Sequence, residues 1–150
     1  TPGVTHKGTF NGNPLVAASG VAALSEIKTG KPNKLADAAA KRLRSGMRQV
    51  IEQHQVTGAV YGEASTFHLY LGDDVKDGSV EGLGAEQIRG IPKSTISAMQ
   101  IGLRKRGVDL MSHMSGVTSM AHTEADVDET LQAFEDTVQE MIADGHIGGR

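Results

Sequence analysis

The residues best able to do chemistry stand together near the start: His6-Lys7-Gly8-Thr9-Phe10-Asn11-Gly12-Asn13-Pro14. Gly8 and Gly12 bracket Thr9 and Asn11, and glycine lets backbone amides come close to a ligand. Asn13 is a good N-cap, and Pro14 fits the first helical position, where its missing N–H costs nothing. A helix start carries partial positive charge and unpaired donors, so the stretch reads as an anion cradle of the phosphate-binding kind. Thr9 would add a hydroxyl donor and Lys7 a charge. The same residues also serve as a plain turn before a helix.

Other chemistry-bearing residues are scattered. In Phe67-His68-Leu69-Tyr70-Leu71 the alternation predicts a strand with Phe67, Leu69 and Leu71 toward helices and with His68 and Tyr70 opposite. His68 is therefore a substrate-pocket candidate or a partly exposed sheet histidine. His113 and Met114 form a soft, weakly polar pair, either pocket wall or core. Asp73-Asp74-Val75-Lys76-Asp77-Gly78 lacks the ligand spacing of a calcium loop. His122 with Glu124 does not supply a metal's first shell. No metal site is expected. Lys41, Arg42, Arg44 and Arg48 make a basic run without aromatic interleaving, read as a solvated helix face rather than a nucleic-acid surface.

These residues need elements to hold them. Small apolar residues from Pro14 to Lys28 predict a first helix that is buried or pressed against another. A second is expected from Lys34 to Gln55, with Leu35, Ala39, Leu43, Met47 and Val50 as its apolar stripe. Short strands follow around Ala59–Tyr61 and Phe67–Leu71. Residues 73–90 read as a long Gly-rich loop and a candidate flap. A third helix spans Lys93 to Arg106 and ends at Gly107. Strands are expected at Val108–Met111 and Gly116–Met120. Thr123 with Asp126 forms a capping box for the last helix, whose face is Val127, Leu131, Phe134, Val138 and Met141. This order predicts a small, mainly antiparallel sheet with helices packed on one face, an α/β (α+β) arrangement.

The chain has 150 residues, net charge −3, no cysteine and 38% hydrophobic residues. That suffices for a core of aliphatic residues and methionine. The charge gives no general attraction for nucleic acid or an anionic membrane. No run approaches a membrane span, and the absence of cysteine fits a reducing, cytoplasmic compartment. The chain opens at Thr1 without methionine, which suggests processing, truncation or a fragment.

Three stretches, in order, resemble the class III pyridoxal-phosphate aminotransferases, in particular the glutamate-1-semialdehyde aminomutase branch. They are Gly8-Thr9-Phe10-Asn11-Gly12-Asn13-Pro14-Leu15, Ala64-Ser65-Thr66-Phe67-His68-Leu69-Tyr70-Leu71, and Gly116-Val117-Thr118-Ser119-Met120-Ala121-His122-Thr123-Glu124-Ala125-Asp126. The resemblance implies the C-terminal portion of a fold-type I enzyme. Residues 1–28 would end the large domain and form an interface helix; residues 29–150 would be the small domain. It implies pyridoxal 5'-phosphate as cofactor, with Gly8 and Thr9 reaching its phosphate in the neighbouring subunit of a homodimer. The lysine that carries the cofactor would lie upstream of Thr1, in an N-terminal part missing here, so no catalytic residue is expected in this segment. The aminomutase branch implies an acidic residue where Met114 stands. Its absence points to amino transfer between an amino acid or amine and a keto or aldehyde acceptor. The aminomutase reaction of tetrapyrrole synthesis, and a non-catalytic phosphate-binding or dimerisation domain, are the alternatives.

Overall fold

The computed structural model describes residues 3, 7–73, 75, 78–111 and 113–149. His6 of the Gly-rich stretch, Pro2, Asp74, Lys76 and Asp77 of the acidic loop, Ser112 and Arg150 lie outside the described residues.

Helix α1 runs from Pro14 to Ile27, α2 from Lys31 to Gln53, α3 from Ala85 to Arg89, α4 from Lys93 to Lys105 and α5 from Glu124 to Ala143. Strands β1 (Gly58–Tyr61), β2 (Thr66–Leu71) and β3 (Ser115–Val117) form an antiparallel sheet in the order β1-β2-β3. Register pairs Tyr61 with His68 and His68 with Ser115.

The expected helices are present, with two shifts. Helix α2 begins at Lys31 rather than Lys34, because Gly30 turns with φ +70° and Pro32 is tolerated in a first turn. Its stripe uses Ala36 in place of Leu35, which is 44% exposed. Residues 73–90 contain α3, and Val80, Leu83 and Ile88 pack on the core, so the expected loop is partly tied down. The strand expected at Val108–Met111 is reduced to one bridge between Met111 and Ser115. Gly107 at φ +82° ends α4, and Arg104 is engaged by Asp109.

The core joins α2, α4 and α5 to the sheet. Phe134, Met47, Met99, Leu103 and Val138 are essentially inaccessible. Two glycines allow the close approaches. A Cβ at Gly102 would stand 2.4 Å from Thr137 where α4 crosses α5, and one at Gly116 would stand 2.2 Å from the Phe67 ring. Phe67, Leu69 and Leu71 are buried as expected, but Tyr70 on the opposite face is buried too, at 4% exposure. The second face is therefore covered at Tyr70 and open toward His68.

In the basic run on α2, Lys41, Arg42 and Arg48 are exposed, as on a solvated face, and Arg44 is half-buried. Arg44 donates to the carbonyls of Ala64 and Thr66, Arg48 Nε donates to Val60 O at 2.8 Å, and Arg42 pairs with Asp128. Arg44 and Arg48 thus hold carbonyls of β1, β2 and the turn between them, and Arg42 ties α2 to α5, roles that lysine performs less well.

Helix α5 carries an acid-sensitive element at each end. Thr123 N donates to Asp126 Oδ2 at 2.7 Å, and the Thr123 hydroxyl joins it. The backbone bond first and the hydroxyl second hold the Asp126 carboxyl below its usual range. Glu140 is held low by bonds from Lys105 and then Arg106. A lowered folded-state value means stability that is present above the ordinary carboxylate range and lost as pH falls through the folded values. The thermal midpoint is expected to stay flat from neutral pH down to about pH 5 and to fall below about pH 4. Glu140→Gln should flatten that acid limb; an unchanged limb would remove Glu140 from its cause.

Candidate functional site

The Gly8–Asn13 loop projects from the fold, with Gly8, Thr9, Phe10 and Gly12 all exposed. Two turns shape it: Asn11 N donates to Gly8 O and Asn13 N to Phe10 O, each at 3.1 Å, and Gly12 takes φ +78°. Asn13 caps α1 as expected, accepting from Leu15 N at 2.9 Å and Val16 N at 3.3 Å. Ala17 N bonds to Asn13 O. This cap consumes the first-turn amides that the sequence offered to an anion. Donors for a ligand must come from the loop itself. Among the described residues, the Thr9 amide and hydroxyl have no hydrogen-bond partner. A Cβ at Gly8 would meet only the side chain of Asn11, with Oδ1 at 2.9 Å.

Behind the loop, α1 has no buried residue. Leu15 is 76% exposed, Val21 67% and Leu24 65%. The expected burial is absent within the described residues: α1 rests on α2 and turns its other apolar sides outward.

The second candidate region lies on the open part of the sheet. His68 stacks on Tyr61 with ring centroids 5.1 Å apart, and its Nδ1 lies 2.8 Å from Ser115 Oγ. Burial pushes the Tyr61 hydroxyl above its ordinary value, keeping it a neutral donor. Ser115 follows His113 and Met114 in the chain, so that pair leads directly into the residue that meets His68. The two occupy different environments. His113 is exposed, whereas Met114 is wholly buried in the core, and its carbonyl accepts from Leu69 N at 3.0 Å. Both residues have positive φ, +59° and +56°. Such angles in non-glycine residues carry strain of about 1–3 kcal/mol each. The side chain of Met114 is core, not pocket wall. Sequence reasoning missed Tyr61 and Ser115; the register of β1, β2 and β3, which places both beside His68, was the signal needed.

Among the described residues no three His, Asp or Glu side chains gather as a metal shell. Among the described residues no helix is long and apolar enough to cross a membrane.

No family model matches the chain. Over 141 residues it is 35% identical to a protein of Pyrobaculum aerophilum named glutamate-1-semialdehyde 2,1-aminomutase, a match covering 92% of this chain and 32% of that protein. A protein of the same name from Methanopyrus kandleri is 27% identical over 92% of the chain and 31% of its own length. The chain thus spans about a third of the curated relatives it matches. Its fold matches that of an omega-transaminase from Sphaerobacter thermophilus, with TM-score 0.71, 24% identity, and coverage of 91% of this chain and 30% of that one. A structure described as a transaminase with PLP bound gives TM-score 0.73 at 19% identity, covering 95% of this chain and 31% of that one.

Proposed function

We propose that this chain is the C-terminal third of a class III pyridoxal-phosphate-dependent aminotransferase of fold type I. In this reading the complete enzyme moves an amino group between an amino acid or amine and a keto or aldehyde acceptor. The carrying observation is the exposed Gly8–Asn13 loop, with its uncommitted Thr9 donors, inside a likeness that spans 92% of the chain.

The residues present fit the phosphate end of the cofactor. Gly8 presents bare, exposed backbone, and Thr9 offers both an amide and a hydroxyl. When bound, pyridoxal 5'-phosphate supplies an electron sink for the amino-bearing carbon of the substrate. The lysine that carries it is assigned to the part upstream of Thr1. Residues 1–28 form the end of the large domain and the interface helix of a homodimer, and residues 29–150 form the small domain. The exposed apolar sides of α1 support such an interface, because apolar surface of that extent ordinarily finds cover. Gly8 and Thr9 then serve the cofactor of the neighbouring subunit. His68, held by Ser115 and Tyr61, and the exposed His113 form the small-domain side of the substrate pocket. Met114 contributes through its carbonyl, which accepts from Leu69 N and ties the start of β3 to β2. A chain without cysteine is at home in the cytoplasm.

The names of the curated relatives favour a second reading, aminomutase action on glutamate-1-semialdehyde. The buried apolar side chain at Met114, where that branch implies an acid, favours the transaminase.

Thr9→Ala in the complete enzyme is expected to raise the dissociation constant of pyridoxal 5'-phosphate about tenfold, the loss of one hydrogen bond to a charged group. Pyridoxal, which lacks the phosphate, should bind as before. Equal changes for both compounds, or none, would remove Thr9 from phosphate binding.

A further inference from the structure

A cavity of about 200 Å³ lies where the first turn of α4 meets the end of β2 and residues 146–148. Pro92 and Thr95 line it from α4, Gly72 and Asp73 from the end of β2, and Thr57 and His146 complete its polar lining. It shares no residue with the Gly8–Asn13 loop or with the surface around His68. Thr95 is only 6% exposed. Among the described residues, no polar side-chain atom sealed from solvent lacks a hydrogen bond. The Thr95 hydroxyl has no partner, so it reaches open space, and the space that Thr95 lines is this cavity. A buried side chain thus holds an unused donor at its wall.

The helix start adds further donors. Pro92 stands at the N-cap of α4 and offers no side-chain cap. The amides of Lys93, Ser94 and Thr95 have no acceptor among the described residues. An occupant that accepts from these groups is an anion. It must also answer Asp73, whose carboxylate can only accept. We propose that the cavity binds free inorganic phosphate, with oxygens on the Thr95 hydroxyl and the first-turn amides and with its remaining O–H donated to Asp73. The monohydrogen ion keeps one O–H at neutral pH. Sulfate has none, and a phosphomonoester has lost its own above about pH 6. Both therefore meet Asp73 with bare negative oxygens. This goes beyond the aminotransferase reading and does not rest on it.

Amide NMR of the full chain at about pH 7.5, without cofactor, tests the proposal with inorganic phosphate, sulfate and methyl phosphate. Phosphate is expected to shift the Ser94 and Thr95 resonances. The other two anions should bind there about tenfold more weakly or worse, since each forfeits the charged hydrogen bond to Asp73. Thr95→Val removes a hydroxyl that has no partner in the fold, and should weaken phosphate about tenfold, whereas Thr95→Ser should retain it. Asp73→Asn should bring sulfate level with phosphate. No shift at Ser94 and Thr95 up to about 10 mM phosphate, or sulfate equal to phosphate in the parent chain, overturns the proposal. Thr9→Ala should leave the response intact. A response lost in that variant would move the ion to the Gly8–Asn13 loop, overturning this site while leaving the cofactor reading to its own test.

Discussion

Met114→Glu is expected to destabilise this domain by about 4 kcal/mol at neutral pH, not to convert it to aminomutase chemistry. The site is wholly buried among apolar residues. Burial without a partner raises a carboxyl by about 3 units, and each unit is worth about 1.4 kcal/mol. The sign follows from linkage. A carboxyl raised in the folded state is protonated and tolerated at low pH, and it penalises the fold as pH climbs past its unfolded value near 4.3. Compared with the parent chain at each pH, the variant should lose little at about pH 4 and most of its stability at about pH 7, as read by urea unfolding. Met114→Leu should stay within about 1.5 kcal/mol at both. A glutamate variant as stable at pH 7 as at pH 4 would mean that position 114 opens to water, and would return its side chain to the substrate pocket.

Phe134→Ala is expected to cost about 3–5 kcal/mol, a fall in the thermal midpoint of roughly 10 °C for a chain of this size. Phe134 is fully enclosed in the core. Its neighbours along α5 leave little room for collapse into the gap. A Cβ at Gly102 would already stand 2.4 Å from Thr137, and one at Gly46 would stand 2.5 Å from Leu131. The cavity should therefore persist, and its cost with it. Calorimetry of the full chain measures this. A loss below about 1 kcal/mol would show that the helices slide to fill the space.

Helix ends were the most legible feature of the sequence. The Asn13 cap with Pro14, and the Thr123–Asp126 capping box, are local chemistry and stand where their residue types require. The apolar face of α5 was legible for the same reason, since its period is written in neighbouring residues. Non-local partners were not. Arg44 and Arg48 read as surface charge because the carbonyls they serve, on residues 60–66, come into reach only after folding. Val108 and Asp109 read as strand, but with Gly107 in a left-handed turn the chain meets Ser115 only at Met111. At the candidate site, Gly8 and Thr9 were legible as a loop, and so was the Asn13 cap that takes the first α1 amides. His68 was legible as a residue on the open face, but Tyr61 and Ser115 beside it required the strand register.

The bond from Arg48 to the Val60 carbonyl has a consequence for life at high concentration. Strand β1 is a sheet margin, and an unsatisfied carbonyl on such a margin is a template onto which a stranger's backbone can zip. A guanidinium seated there acts as a stopper, bringing bulk and positive charge to the point where a fibril would otherwise start to grow.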